Sequence, residues 1–322
     1  MVSVIIPTFN RLDALLRLLE DLSRQDGVAA ELIVVDDHSS DGTGDVVRSR
    51  FPTVVYLRND TNLGPTISRN RGIRQAQGDI VVGLDSDVTA PDTGLLARIE
   101  TAFAELPPLR AFAFRVFESD GRTDDAPRWW HPVPLAHYAD RRFESHYFSG
   151  TAYAFRKHEL LQVGGFPECI FQYFEEVEVA FRFLDAGGVI LYLPELAVLH
   201  HPGSRSSAWT DYRLFYHSRN LVLLTLACYP PIRGAGFLLP RLANAFLRAV
   251  TSNRLPVFFR AIRSSAQAAP GRLRERQPLQ ASTWRRIQAL RHAHSPAPFT
   301  RQPGASPTSV APSGACAVPP RA

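Results

Sequence analysis

The feature that most constrains this chain is a series of short β-branched runs in its first ninety residues, each ending in a polar cluster. Val2-Ser3-Val4-Ile5-Ile6 stops at Pro7-Thr8-Phe9-Asn10, and Leu32-Ile33-Val34-Val35 stops at Asp36-Asp37. Val54-Val55-Tyr56-Leu57 is followed by Asn62-Leu63-Gly64-Pro65, and Asp79 to Leu84 runs straight into Asp85-Ser86-Asp87. Helical stripes separate the runs. Leu12, Leu15, Leu16, Leu18, Leu19 and Leu22 recur at the period of a helix, Thr43 to Arg50 reads as helical, and Pro65 suits a first helical turn. Strands that alternate with helices imply a largely parallel sheet covered on both faces, an α/β fold. Ligands of such sheets bind beyond the carboxyl ends of the strands, where these polar clusters fall.

The chemistry of the clusters narrows the function. Two carboxylates one residue apart at the end of a buried strand, Asp85 and Asp87, offer hard oxygen ligands suited to Mg²⁺ or Mn²⁺ bridging a diphosphate. Asp36 and Asp37 can accept from the N3–H of uracil or thymine or from ribose hydroxyls; the plainer alternative is an Asx turn before Thr43, which fits Asp41-Gly42. Arg69 is suited to a diphosphate or a base, and Gly64 permits close backbone approach. Arg71 and Arg74 read as a solvated helix face. The first strand leads into Pro-Thr-Phe-Asn-Arg, with none of the glycines a dinucleotide-binding turn requires. A nucleotidyltransferase would want a glycine-rich, lysine-bearing phosphate loop at the same place, and none is present.

Beyond the fourth strand, Glu118 to Phe148 reads as a long connection rich in Pro, Trp, His and Asp, in which Trp129-Trp130-His131 offers either a sugar-stacking surface or a loop anchor. Lys157 to Val163, Glu175 to Ala186 and Tyr212 to Ala227 read as helices, with Val189 to Leu193 and Leu196 to His200 as short strands. Glu178 lies four residues before Arg182, which suits a helical ion pair.

The ordered series resembles family 2 glycosyltransferases of the GT-A fold, bacterial rhamnosyltransferases among them. The likeness is carried by Val2 to Arg11, Val34-Val35-Asp36-Asp37 through Thr43, Asn62-x-Gly64 and Gly78-Asp79 through Asp87. It continues through Ser149-Gly150-Thr151-Ala152, Gly164 to Glu168, Glu175-Glu176-Val177-Glu178, Arg182, Gly187, His200 and Arg219-Asn220, over roughly residues 1 to 228. The resemblance implies a nucleotide-sugar site lined by Pro7, Thr8, Asn10, Asp36 or Asp37, Asn62, Gly64 and Arg69, with Asp85 at the ribose. It implies a metal on Asp87 with help from His200. The family's acceptor base lies in a Glu-Asp pair, here Glu175-Glu176, so Glu176 takes the base position with one extra methylene and Glu175 is the fallback. The implied activity is metal-dependent, inverting transfer from a UDP- or dTDP-sugar to an acceptor hydroxyl in cell-envelope or exopolysaccharide glycan synthesis. A nucleotide-binding partner without catalysis is the competing reading, supported only by the Glu-Glu variant.

The net charge of +5 is unevenly spread. From Arg233 onward fourteen arginines face one acid, Glu275, a balance of +13 that leaves −8 for the rest. Residues 229–292, where apolar clusters are broken by arginines, are expected to form basic amphipathic helices, and 293–322 a disordered Pro/Ala/Ser-rich tail. Anionic lipid, worth roughly 1 kcal/mol per basic residue, is one partner for this region, and nucleic acid is not expected. Lys157 is the only lysine, so GC-rich coding bias is the bland alternative. Three scattered cysteines, no run of eighteen apolar residues and no leader-like start together lead us to expect a cytoplasmic protein, peripheral on the inner face of the plasma membrane.

Overall fold

The computed structural model describes residues 1–106, 108–202 and 210–293. Strand β1 (Val2–Thr8) is followed by helix α1 (Leu12–Leu22), β2 (Ala30–Asp36), α2 (Thr43–Arg50), β3 (Val55–Arg58), α3 (Pro65–Gln75) and β4 (Ile80–Leu84). Then come β5 (Val88–Thr89), α4 (Leu95–Glu105), β6 (Arg110–Glu118), α5 (Leu135–Tyr138), β7 (Phe143–Ser145), β8 (Ala152–Arg156), α6 (Lys157–Gln162), α7 (Glu175–Asp185) and β9 (Val189–His200). Four helices end the described chain: α8 (Asp211–Cys228), α9 (Pro231–Thr251), α10 (Leu255–Arg274) and α11 (Ala281–Ala293). The residues from 294 on, for which a disordered tail is expected, lie outside the described residues.

One nine-stranded sheet runs in the order β3-β2-β1-β4-β8-β6-β9-β5, with β7 on β9. Strands β1 to β4 pair in parallel, as the strand–helix alternation predicts. Beyond them the sheet is mixed, because β8 runs antiparallel to both β4 and β6 while β6 and β9 are parallel. The two short strands expected at 189–193 and 196–200 are one continuous β9. A register shift opposite Phe114 and Arg115 absorbs Pro194-Glu195-Leu196 within the strand.

Successive strand residues face opposite sides, so one sheet builds two cores. Ile5, Ile33, Val35 and Val81 pack on one face with Ile73, Leu160, Val179 and Phe183, whereas Val4, Ile6, Val34 and Val82 face Leu15, Leu18, Leu19, Ile99 and Phe103. Helix α3 lies so close on β1 that a Cβ at Gly72 would come within 2.4 Å of the Ile5 side chain. The basic C-terminal region is helical and joins the first of these cores: Leu279, Trp284 and Ile287 are buried there. Glu178 pairs with Arg182 at 3.6 Å, as its spacing suggests, and also with the buried Arg272 of α10, locking the extension onto α7. Cys169 and Cys228 are free thiols. No helix among the described residues is long and apolar enough to cross a membrane.

The long connection 118–148 is anchored by aromatic packing. Trp129, His131, Phe143 and Tyr192 stack edge-on or face-on, and His131 Nδ1 meets Ser145 Oγ at 2.7 Å. Burial, helped by the nearby His146, pushes the His131 pKa down to about 3. Burial and Arg291 push that of His146 down to about 4. In the unfolded chain both titrate near 6.5, so the unfolded state binds more protons between those limits. The stability these neutral rings contribute is fully present above pH 6.5 and lost as pH falls toward their folded values. Melting followed by circular dichroism from pH 6.5 to 4.5 should show falling stability, up to roughly 1.4 kcal/mol per pH unit for each ring. His131→Asn should melt with a shallower pH slope; an unchanged slope would refute the assignment.

Candidate active site

The cleft forms where the parallel strands end. Pro7 and Thr8 close β1, and Asn10 follows in the left-handed region (φ 49°), a conformation asparagine tolerates better than most residues. Its amide N–H donates to Ser39 Oγ at 2.9 Å and its side-chain oxygen accepts from Ser40 N–H at 2.8 Å, tying the loop after β1 to the loop after β2. Asp41 makes the expected Asx turn, accepting from Thr43 N–H at 3.2 Å, and also accepts from Leu12 N–H at 3.0 Å.

The neighbouring acids Asp36 and Asp37 part company because adjacent strand-end residues point to opposite sides. Asp36 is fully buried and accepts from Ser39 N–H at 2.7 Å, Arg58 at 2.9 Å and the Tyr56 hydroxyl. Burial and that carboxylate push the Tyr56 pKa up to about 12. Asp37 faces the cleft and organises the next loop: it accepts from Asn59 Nδ2 at 2.8 Å, Leu63 N–H at 2.9 Å and Gly64 N–H at 2.7 Å. Gly64 has φ +90°, and a Cβ there would meet the Phe171 ring at 2.7 Å, so glycine is required on both counts.

Arg69 is the hub. It donates to Glu175 Oε1 at 2.9 Å, to Asp85 Oδ1 at 3.0 Å and to the Gly150 carbonyl at 3.1 Å. Burial opposes its charge, but Asp85 and Glu175 outweigh burial and raise its pKa. Two successive non-glycine residues with left-handed φ, Tyr173 (73°) and Phe174 (72°), form the turn that starts α7 and delivers Glu175 and Glu176. Asn220 of α8 holds that turn by donating to the Gln172 carbonyl at 2.6 Å, and Arg219 donates to the Cys169 carbonyl at 3.0 Å. Glu175 gives one carboxylate oxygen, Oε1, to Arg69. Glu176 is half-buried, and burial together with the Glu175 charge raises its pKa well above the ordinary carboxylate value. Tyr147 lies near enough to feel Glu176, and burial plus that carboxylate keep its phenol protonated. The exposed Trp130 stacks on Tyr147 and meets the Phe174 ring edge-on, so the tryptophan pair divides: Trp129 anchors the loop and Trp130 offers a free face.

On the other side of the cleft Asp87 pairs with Arg11 and lies 3.5 Å from His200 Nε2. Burial disfavours the Asp87 charge, yet the neighbouring His200 and Arg11 hold its pKa down at about 2. Burial likewise opposes the His200 imidazolium, and Asp125 and Asp87 more than offset it, so the His200 pKa is raised. His200 Nδ1 lies 2.6 Å from Asp125 Oδ2, while its buried Nε2 has no hydrogen-bond partner among the described residues. An imidazole fixed through one nitrogen by a carboxylate, its other nitrogen directed to a second carboxylate, is the donor arrangement metal sites use. Among the described residues no group of three His, Cys, Asp or Glu side chains gathers to hold a metal. Asp87 and His200 are the two side chains that would hold a divalent ion at this cleft.

A cleft of about 380 Å³ is lined by Pro7, Thr8, Asp37, Asn62, Arg69, Asp85 and Asp87 of the predicted residues. Asn10, Asp36, Gly64, Glu175, Glu176 and His200 stand behind or beside its lining. Arg11, Arg128, Phe171, Gln172 and Tyr212 line it too, although the sequence suggested no role for them. Arg11 lay within the first motif and was the one signal available. A larger groove of about 720 Å³ lies between α7 and α10. Its charges Glu178, Arg182, Arg272 and Glu275 pair with one another, so size does not mark the site.

The profile of "Glycosyl transferase family 2" matches residues 3–165. The succinoglycan biosynthesis protein ExoO of Rhizobium meliloti is 35% identical over 123 residues, 38% of this chain and 35% of that protein. The matched stretch thus spans about a third of that relative's length. The N-acetylglucosaminyl-diphospho-decaprenol L-rhamnosyltransferase of Mycobacterium tuberculosis is 27% identical over 230 residues, 62% of this chain and 75% of that protein. Among solved structures, S. aureus TarS 1–349 in complex with UDP-GlcNAc aligns with a TM-score of 0.58 at 22% identity, covering 84% of this chain and 82% of TarS 1–349. The mannosyltransferase PcManGT of Pyrobaculum calidifontis, with GDP-Man and Mn²⁺, aligns at 0.54 and 22%, covering 91% and 85%. These likenesses establish a GT-A glycosyltransferase fold, and with a profile that matches half of its length the chain belongs to glycosyl transferase family 2.

Proposed function

We propose that the protein is a metal-dependent, inverting glycosyltransferase that moves a sugar from a UDP- or dTDP-linked donor to an acceptor hydroxyl in envelope or exopolysaccharide glycan synthesis. The observation that carries this reading is the Arg69 bridge, which brings Asp85 at the end of β4 and Glu175 at the head of α7 to one cleft. The donor side supplies recognition. Asp37 has accepted three donors, and a carboxylate offers about four lone-pair sites, so one site is left for the N3–H of a pyrimidine base. Thr8 Oγ1, buried without a partner among the described residues, is a further group that a nucleotide could satisfy. Asn62 and Arg69 complete the nucleotide wall, with Asp85 at the ribose.

Asp87 and His200 would hold Mg²⁺ or Mn²⁺, which when bound neutralises the diphosphate as it leaves. Arg11, half-exposed on Asp87, is free to turn toward phosphate oxygens. Glu176 takes the proton of the acceptor hydroxyl as the glycosidic bond forms, a role its raised pKa suits because a base is most effective when its affinity for the proton approaches the working pH. Attack from the base side, with the diphosphate departing opposite, inverts the anomeric centre. The exposed face of Trp130 beside the Glu176 turn is suited to stack on an acceptor sugar. Names of relatives that act on lipid-linked sugars, including the decaprenol-linked rhamnosyltransferase, support a membrane-carried acceptor and a peripheral seat on an anionic membrane surface through the basic helices.

Three measurements test this. Asp87→Ala, or excess chelator on the intact enzyme, should abolish nucleotide-sugar hydrolysis and transfer; full activity in chelator would exclude the metal role. Glu176→Gln should keep donor affinity while kcat falls by roughly 10²–10⁴, with Glu176→Asp retaining more. Unchanged turnover in Glu176→Gln would move the base elsewhere. Asp37→Asn should weaken nucleotide binding by titration calorimetry about tenfold or more, whereas Asp36→Asn should cost roughly 1–3 kcal/mol of stability and leave binding nearly unaltered. The reverse pattern would exchange their roles.

A further inference from the structure

Helix α9 turns an apolar face outward. Ile232, Leu239, Phe246 and Val250 follow one another at steps of seven, seven and four, which places them on one side of the helix, with Leu247 beside them. Ile232 is 90% exposed, Leu239 63% and Leu247 61%. Phe259 of α10, 59% exposed, packs edge-on against Phe246 and extends the patch. The opposite side of α9 is already used, since Gly234, Ala245 and Ala249 are buried. The outward face is therefore surplus to folding, and an apolar stripe of this length on a soluble surface marks a contact.

We propose that this face of α9, with Phe259, inserts into the headgroup layer of a bilayer containing anionic lipid. Charge decides between the candidate occupants. From Pro231 to Arg274 there are eight arginines and no acid. Arg254 and Arg272 are engaged by Asp211 and Glu178, while Arg233, Arg241, Arg260 and Arg263 are exposed. A second copy docking by a two-fold axis would set these like charges against each other, whereas phosphate headgroups neutralise them. The position fits as well. Arg254, in the turn between α9 and α10, pairs with Asp211 at 2.7 Å, and the next residue, Tyr212, lines the cleft and donates to Gln172 at 2.6 Å. The Phe246–Val250 end of the stripe thus lies beside the cleft, where a lipid-borne acceptor would arrive. This last point rests on the transferase reading; the membrane contact does not.

The test is flotation of the full chain with phosphatidylcholine vesicles, with and without phosphatidylglycerol. Binding should require the anionic lipid and weaken in high salt. Ile232→Ser, Leu239→Ser and Leu247→Ser combined should lower partitioning on the order of 100-fold, with an unchanged melting profile because the three side chains are exposed. Arg233→Gln, Arg260→Gln and Arg263→Gln should each lower it roughly fivefold. Nucleotide-sugar hydrolysis in solution should be the same in the serine variant as in the parent. Equal flotation of that variant, or equal binding to phosphatidylcholine alone, overturns the proposal. So does a lipid-indifferent dimer that the serine substitutions dissociate in light scattering. Intact flotation with no hydrolysis in the parent would instead refute the transferase reading and leave this face standing.

Discussion

The interaction on which the rest of the site depends is the buried guanidinium of Arg69. A charge taken out of water is costly unless its donors are matched, and here both terminal nitrogens find oxygens within 3.1 Å. The planar fork matters because it joins elements far apart in the chain: α3, the end of β4, the Gly150 turn and the head of α7. Lysine would carry the charge but not the geometry. The bridge also sets the electrostatics on either side of it. By taking up Glu175 it makes Glu175 a fixed negative neighbour, and that fixed charge, after burial, is what raises Glu176. One ion pair therefore divides two adjacent glutamates into a structural anion and a candidate base.

The same division of neighbours recurs wherever the sequence offers an adjacent acid pair. Asp36 and Asp37 are indistinguishable by composition, and their roles separate only because the β2 ladder ends at Asp36 and the pleat sends the two side chains apart. Asp85 turns to Arg69 while Asp87, two residues on, turns to Arg11 and His200. The resemblance names both members of each pair but does not split Asp36 from Asp37, since the splitting depends on register and on partners from distant elements.

The first half of the fold was legible for a related reason. Strands β1 to β4 are local apolar runs with turn chemistry at both ends, and the helices between them show a clean stripe. In the second half the helices α6, α7 and α8 were legible too, but the central strands β6 and β8 were not, because they take their meaning from each other. Arg110-Ala111-Phe112-Ala113-Phe114 has no polar alternation, as expected of a strand covered on both faces, and periodicity alone does not separate such a run from a buried helix. Strand β9 shows the opposite failure: Pro194 looks like a break, and only the bulge reveals that the strand continues through it. Arg11 and Arg128 went unassigned because a lone arginine in a loop carries no periodic signal; their place at the cleft is a fact of tertiary structure.

The arginine-rich C-terminal region raises the question whether its charge is function or coding bias, and its helices answer differently. In and just before α11 three arginines have specific acceptors: Arg286 pairs with Glu144 and donates to the Gly188 carbonyl, Arg276 donates to the Tyr229 carbonyl, and Arg291 meets His146. Arg272 of α10 does the same for Glu178. These residues fasten a basic segment to a mildly acidic body, which accounts for the opposite charges of the two parts without any membrane. Bias alone would scatter arginine over α9 and α10 without regard to the apolar residues. Instead Arg233, Arg241 and Arg248 fall off the Ile232–Leu239–Phe246–Val250 face and leave it uninterrupted. A charge pattern that spares one continuous apolar stripe is a constraint of position rather than of composition, and position is what a surface contact selects.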